Sequence, residues 1–169
     1  MSQTAADLAR LLVRELEGFA REIQMFPDDT GAWQTVPGVT NAAGNLALHV
    51  AGNTQYYIGT ICGGTGYVRN RDAEFSRRSG ARADIVAELD AAIRVVRDVL
   101  PGISDERLDA DFPEPVMGMK FRTGLFLLHL CAHAAFHLGQ AGYVRRVITG
   151  DATSSGPIPL GPIAEVGSR

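Results

Sequence analysis

Residues 129–140 read HLCAHAAFHLGQ and hold three of the chain's four histidines, His129, His133 and His137, at four-residue intervals in a largely apolar stretch. An α-helix turns about 100° per residue, so positions i and i+4 share a face. His133 and His137 can therefore aim two imidazoles at one ion, and so can His129 and His133. One straight helix does not offer all three, because His129 and His137 differ by about 80° in direction and about 12 Å in rise. A third ligand must come from another element. The remaining histidine is His49, in the stretch NLALHVAGN. Spacing alone leaves two readings open: a metal site, or hydrogen-bonded histidines packed in a core.

The elements that must position these residues read as four helices. Leu8, Leu11, Leu12, Leu16, Phe19 and Ile23 recur at helical spacing in a first helix over about 2–25, with Glu15, Glu17, Arg21 and Glu22 on its other side. Thr4 and Asp7 resemble a capping pair at its start. A second helix covers about 41–62, capped by Thr40 or Asn41. It carries Leu46, Val50, Tyr57, Ile58 and Ile61 on its stripe, and Gly44, Gly52 and Gly59 at a spacing that permits close packing of a neighbour. The polar segment 67–81 reads as an ordered loop. Ile85, Leu89, Ile93, Val96 and Leu100 make one face of a third helix over about 83–100, stopped by Pro101-Gly102. Residues 101–121 read as an irregular crossover. The fourth helix spans about 122–149, with Gly150 as its C-terminal stop. Long helices with two long connections predict an all-α four-helix bundle over residues 1–150. The Pro/Gly-rich tail 151–169 is expected on the surface or on a partner chain.

The chain has 169 residues, is 46% hydrophobic and 21% charged, and carries a net charge of −3. That suits one soluble domain and argues against nucleic acid as a partner, since a basic stripe is missing. The start, MSQTAADLARLL, does not read as a signal peptide, and no apolar run approaches the roughly 20 residues of a membrane span. Two lone cysteines, Cys62 and Cys131, fit buried thiols in a reducing cytoplasm.

NLALHVAGNTQYYIG, RNRDAEF and LLHLCAHAAFHLGQ together resemble the DinB-like family of bacterial four-helix-bundle proteins. The hallmark is a mid-helix histidine in the second helix, then His-x-x-x-His followed by Gly-Gln in the last. This chain matches it at His49, His133, His137, Gly139 and Gln140, and the element order agrees over roughly residues 4–150. The resemblance implies that His49, His133 and His137 ligate a divalent metal, and that the protein is a homodimer joined through helix faces. His129 matches no ligand position and is expected as a pocket or packing residue. Gln140 and Asn53 either orient ligands or serve as packing amides. Tyr56 and Tyr57 either line the pocket or belong to the core. Arg69 and Arg71 either present cationic charge to a thiol cosubstrate or form, with Glu74, a salt-bridged loop that braces the bundle; Glu74, Asp111 and Glu114 are acids in loops, which spacing does not place relative to the histidines.

Three neutral imidazoles keep the full charge of the ion and leave at least one coordination position open, the arrangement of catalytic rather than structural sites. All-nitrogen ligation points to zinc or nickel first, with iron, manganese and cobalt as alternatives. Such an ion lowers the pKa of a bound water or thiol. Two enzyme readings follow: a transferase or isomerase using a low-molecular-weight thiol, as among DinB-like relatives, and a metal-dependent hydrolase with a carboxylate base. The two histidine helices hold no acid beside the histidines, which favours thiol chemistry. A non-catalytic metal-binding or stress-response bundle is the third reading.

Overall fold

In the computed structural model, which describes residues 2–164, the histidines are carried by two of four long helices. The first, α1 (Gln3–Gln24), begins at Ser2, whose extended backbone lets its hydroxyl accept from the Ala5 amide at 3.2 Å. The cap is thus Ser2, not Thr4, which lies inside the first turn. Leu8, Leu12, Leu16, Phe19 and Ile23 are buried as the period requires. Glu15 and Glu22, expected outside, are buried too, because each has an arginine partner: Arg14 for Glu15 and Arg145 for Glu22.

The second helix, α2 (Ala43–Thr54), runs on into a wider π-helical segment, Gln55–Cys62. Its N-cap is Ala42, which makes no side-chain bond, so neither Thr40 nor Asn41 caps it. The segment read as a loop contains a six-residue helix, α3 (Arg71–Ser76). The Asn70 side chain caps it by accepting from the Ala73 amide, and Asp72 and Glu74 sit in its first turn. Six residues are too few for a periodic pattern, so nothing in the apolar spacing announces it.

Helix α4 (Arg82–Val99) buries Ile85, Leu89, Ile93 and Val96. The following crossover is more ordered than expected. A 3₁₀ turn (Leu100–Gly102) leads to α5 (Asp105–Asp109), capped by the Ser104 hydroxyl. A folded-back arm then closes through two isolated bridges, Asp111 with Arg122 and Val116 with Met119. The last helix, α6 (Thr123–Thr149), stops at Gly150, whose φ of 67° only glycine adopts freely.

Helices α1 and α2 each pack against both α4 and α6, and their apolar faces make one continuous core. The fold is all-α; the described residues contain no named strand and no helix long and apolar enough to cross a membrane. The described part of the tail lies against α1. Arg21 donates to the carbonyls of Ser155, Gly156 and Pro157, and Arg145 donates to those of Asp151 and Thr153. Residues 165–169 of the tail fall outside the described residues.

Candidate metal centre

His49 lies mid-way along α2, and His133 and His137 lie one turn apart on α6, so the packing of α2 on α6 sets their spacing. His133 Nε2 is 3.2 Å from His49 Nε2 and 3.0 Å from His137 Nε2. All three donor atoms lie within 4.8 Å of one another. Three ligands at about 2.05 Å around a tetrahedral ion would sit about 3.3 Å apart, so the spacing suits a zinc-sized cation.

The outer ring nitrogens of His49 and His137 are held. His49 Nδ1 is 2.9 Å from Glu74 Oε2, and His137 Nδ1 is 2.7 Å from Gln140 Oε1. A carboxylate accepts only, so His49 Nδ1 carries the hydrogen and Nε2 is left with its lone pair. The amide oxygen does the same for His137. His133 lies between two such lone pairs and, when neutral, can offer a hydrogen to only one. Some inward lone pair is therefore without a partner, and a divalent cation satisfies all three at once. The donor set fits the group.

Burial favours the neutral form of His133 and His137. Burial, then the neighbouring His137 and His49, pushes His133 down to about 3. Burial likewise lowers His137, against an upward pull from Gln140. At Glu74, burial opposes ionisation, but hydrogen bonds from Arg69 and His49 outweigh it and hold the carboxyl below its usual range. His49 is buried while His133 and His137 are half-buried, so the centre is reachable from one side.

The other expected residues divide. Arg69 grips Glu74 through two nitrogens, Nε at 2.7 Å from Oε1 and Nη2 at 2.8 Å from Oε2, and its Nη2 is also 3.1 Å from His49 Nδ1. His129 is exposed and stacks loosely between Phe126 and His133. Asn53 is half-buried and makes no side-chain hydrogen bond to the cluster among the described residues. Tyr57 packs against Phe126, with Arg69 over its ring, while Tyr56 donates to Glu114. Glu74 is the neighbour that spacing could not place. The close packing that Gly52 permits is what admits it: a Cβ there would lie 2.3 Å from Glu74 Oε1. Phe75 adds an apolar wall, its ring centroid 4.6 Å from that of His49, and the Arg71 guanidinium lies over the Phe75 ring, 5.0 Å from its centroid. A cleft of about 400 Å³ between loop residues Thr40 and Asn41 and helix residues Tyr143 and Gln140 adjoins the centre, with Gln140 bridging it to His137. A larger cleft, about 610 Å³ among Leu8, Leu108 and Leu125, shares no residue with the cluster.

Comparison with known proteins agrees with the helical pattern. A family model described as the DinB superfamily matches residues 4–141. A crystal structure of a conserved protein from Enterococcus faecalis superposes with a TM-score of 0.68 at 18% identity, covering 89% of this chain and 99% of that one. That likeness is one of fold. No curated protein matches.

Proposed function

The chain belongs to the DinB superfamily, whose model spans residues 4–141, and on that footing we propose that it is a divalent-metal-dependent enzyme. His49, His133 and His137 are the ligands, and the chemistry is transfer or isomerisation that uses a low-molecular-weight thiol. Zinc or nickel suits the all-nitrogen set best. The observation that carries the reading is a three-imidazole cluster, half-open on one side, whose neighbouring carboxylate is engaged elsewhere. Glu74 lies on the outer nitrogen of His49 and is held there by Arg69, so it is not free to act as the base that hydrolysis would need.

When bound, the ion supplies Lewis acidity that makes a thiol ligand ionise near neutral pH. The residues of this chain do the rest. The three imidazoles leave the ion's charge undiminished, and Phe75 and Phe136 line the flanks with apolar surface. Arg71, over Phe75, offers a cation to an anionic part of the thiol. Gln140 holds His137 with its carbonyl oxygen and also lines the adjoining cleft, where a polar group of the second substrate can bind. In the reaction the thiol proton leaves to solvent and sulfur forms a bond to the electrophilic carbon. In a transfer the leaving group departs with its electron pair; in an isomerisation the C–S bond breaks again and the thiol is regenerated. Free, buried Cys62 and Cys131 suit the reducing cytoplasm in which such thiols accumulate.

The protein acts as a homodimer through the outer face of α6. From Thr123 to Val144 this helix has no Asp, Glu, Lys or Arg. Leu125, Leu128, Phe136, Tyr143 and Val147 are each more than half exposed. An antiparallel two-fold contact centred near Ala135 and Phe136 would set Leu125 against Val147, Leu128 against Tyr143 and Ala132 against Gly139. It matches large with large and small with small, with the Arg146 charge over the Tyr143 ring at its edge. Sedimentation should give a dimer that Phe136→Glu splits; a wild-type monomer at tens of micromolar would contradict this.

The activity test is a screen of several low-molecular-weight thiols with a generic electrophile, run beside ester and amide substrates without thiol. Thiol-dependent turnover that disappears in His133→Ala supports the proposal. Thiol-independent hydrolysis would replace it with the hydrolase reading, and metal binding without any turnover would favour the non-catalytic one.

A further inference from the structure

We propose that Glu74 is a positioning residue that chooses the tautomer of His49, and that it does so against the preference of its own partner, Arg69. This role rests on the metal site formed by His49, His133 and His137 and deepens it.

Neutral imidazole carries one hydrogen, on Nδ1 or on Nε2. Two groups compete for His49 Nδ1. Glu74 Oε2, at 2.9 Å, accepts and so requires the hydrogen on Nδ1, which leaves the Nε2 lone pair facing His133. Arg69 Nη2, at 3.1 Å, donates and so prefers Nδ1 bare, which puts the hydrogen on Nε2, where the ion must bind. A guanidinium has no acceptor, so it cannot serve the first tautomer. The carboxylate lies between them: it takes Arg69 Nε and Nη2 on its two oxygens and still accepts from His49 on Oε2. Both side chains are nearly buried, at 11% and 6% exposure, so water does not substitute for either. Arg69 also compensates the charge of Glu74. The carboxylate therefore fixes the hydrogen without passing its full negative charge to the ring, and the ion at Nε2 keeps its Lewis acidity.

The place of Glu74 in the chain fits this role. It sits in the first turn of α3, whose Asn70 cap fixes the start of the helix, and Gly52 on α2 leaves the space its carboxylate fills. Asn45 holds the same turn from below by donating to the Glu74 and Arg77 carbonyls. The carboxylate thus comes from a braced turn, and its aim at Nδ1 does not depend on the ion.

The competition gives an unusual pattern among variants. In Glu74→Ala, Arg69 is left to donate to Nδ1, and His49 changes to the Nε2–H form. In Glu74→Gln, which keeps the volume, the amide oxygen goes to Arg69 and the NH₂ group points at Nδ1, with the same result. Each single variant should bind Co²⁺ about 10- to 100-fold more weakly. Removing Arg69 as well should restore much of the affinity, because the opposing donor is gone: Glu74→Ala/Arg69→Ala should bind more tightly than Glu74→Ala alone.

The experiment measures ¹⁵N shifts of the histidine rings in the metal-free protein and Co²⁺ affinity by competition with a chelator, for wild type, both single variants and the double. Wild type should show His49 hydrogenated on Nδ1, and both single variants on Nε2. If Glu74→Gln, folded by circular dichroism, keeps the Nδ1–H form and binds Co²⁺ within about twofold of wild type, the proposal is overturned. It is also overturned if the double variant binds more weakly than Glu74→Ala, since a purely structural pair would behave so. If wild type binds no Co²⁺, the metal reading fails, and the ring tautomers still decide the part played by Glu74.

Discussion

Gly52→Ala sets a gain in helix propensity against the loss of a buried ion pair. Gly52 is in the interior of α2, where alanine is worth about 1 kcal/mol more than glycine in helix propensity. On propensity alone the variant is stabilised by that amount. The added Cβ, however, would lie 2.3 Å from Glu74 Oε1 and 3.1 Å from Glu74 Cδ. Ordinary contacts of a Cβ begin near 3.4 Å, so the carboxylate has to move by about 1 Å. A shift of that size breaks the 2.7 Å bond to Arg69 and lengthens the 2.9 Å bond to His49. Disrupting a buried ion pair costs about 3–5 kcal/mol, so the net effect is a loss of about 2–4 kcal/mol. In a chain of this size that corresponds to a fall of about 5–15 °C in Tm. The displaced carboxylate also stops orienting His49, which should weaken metal binding about 10- to 100-fold. Urea unfolding of the metal-free protein measures the first effect and Co²⁺ titration of the folded variant the second. A variant more stable than wild type with unchanged Co²⁺ affinity would mean that the carboxylate does not need the space beside Gly52, and the ion-pair explanation would fall.

Further expectations concern pH, the tail and the thiols. His133 titrates near 3 in the folded protein against about 6.5 unfolded, so the unfolded chain binds the extra proton between those values. The metal-free protein should therefore be most stable above pH 6.5 and lose stability as pH falls toward 3, and His133→Gln should flatten a plot of urea midpoint against pH. Arg145 and Glu22 form a fully buried pair whose arginine also holds the carbonyls of Asp151 and Thr153. Arg145→Met should cost about 3–5 kcal/mol in urea unfolding and open the tail to limited proteolysis, and Glu22→Gln added to it should recover part of the loss. Burial pushes the Cys131 thiol up to about 12 and raises Cys62 as well. Neither should react with iodoacetamide at pH 8 until the chain unfolds, which mass spectrometry checks; alkylation of folded protein would contradict the packing.

The long helices are legible in the sequence because α1, α2 and α4 carry apolar stripes at the 3.6-residue period and α6 is a long, largely apolar run ended by Gly150, and the bundle follows from their lengths and connections. The placement of His49 opposite His133 is legible only through the family resemblance, since spacing within α6 cannot say which partner helix comes near. The role of Glu74 is not legible. Its helix has six residues, too short for a period, and its carboxylate reaches His49 through a space made by the absence of a side chain at Gly52. The burial of Glu22 is hidden for a related reason. Amphipathic sorting sends acids outward unless a partner is known, and Arg145 lies 123 residues away. The widening of α2 into a π-helix over Gln55–Cys62 likewise leaves no mark in the apolar spacing.

Everything proposed for the function depends on one divalent ion held among His49, His133 and His137. Elemental analysis decides this, on protein purified without added metal, before and after exposure to Co²⁺ and removal of the excess. Wild type should hold about one divalent ion per chain. Binding should be lost in His133→Ala although that variant folds, since truncating a half-buried ring leaves the apolar core intact. Wild-type protein that takes up no stoichiometric ion, or a His133→Ala variant that keeps it unchanged, would contradict the assignment.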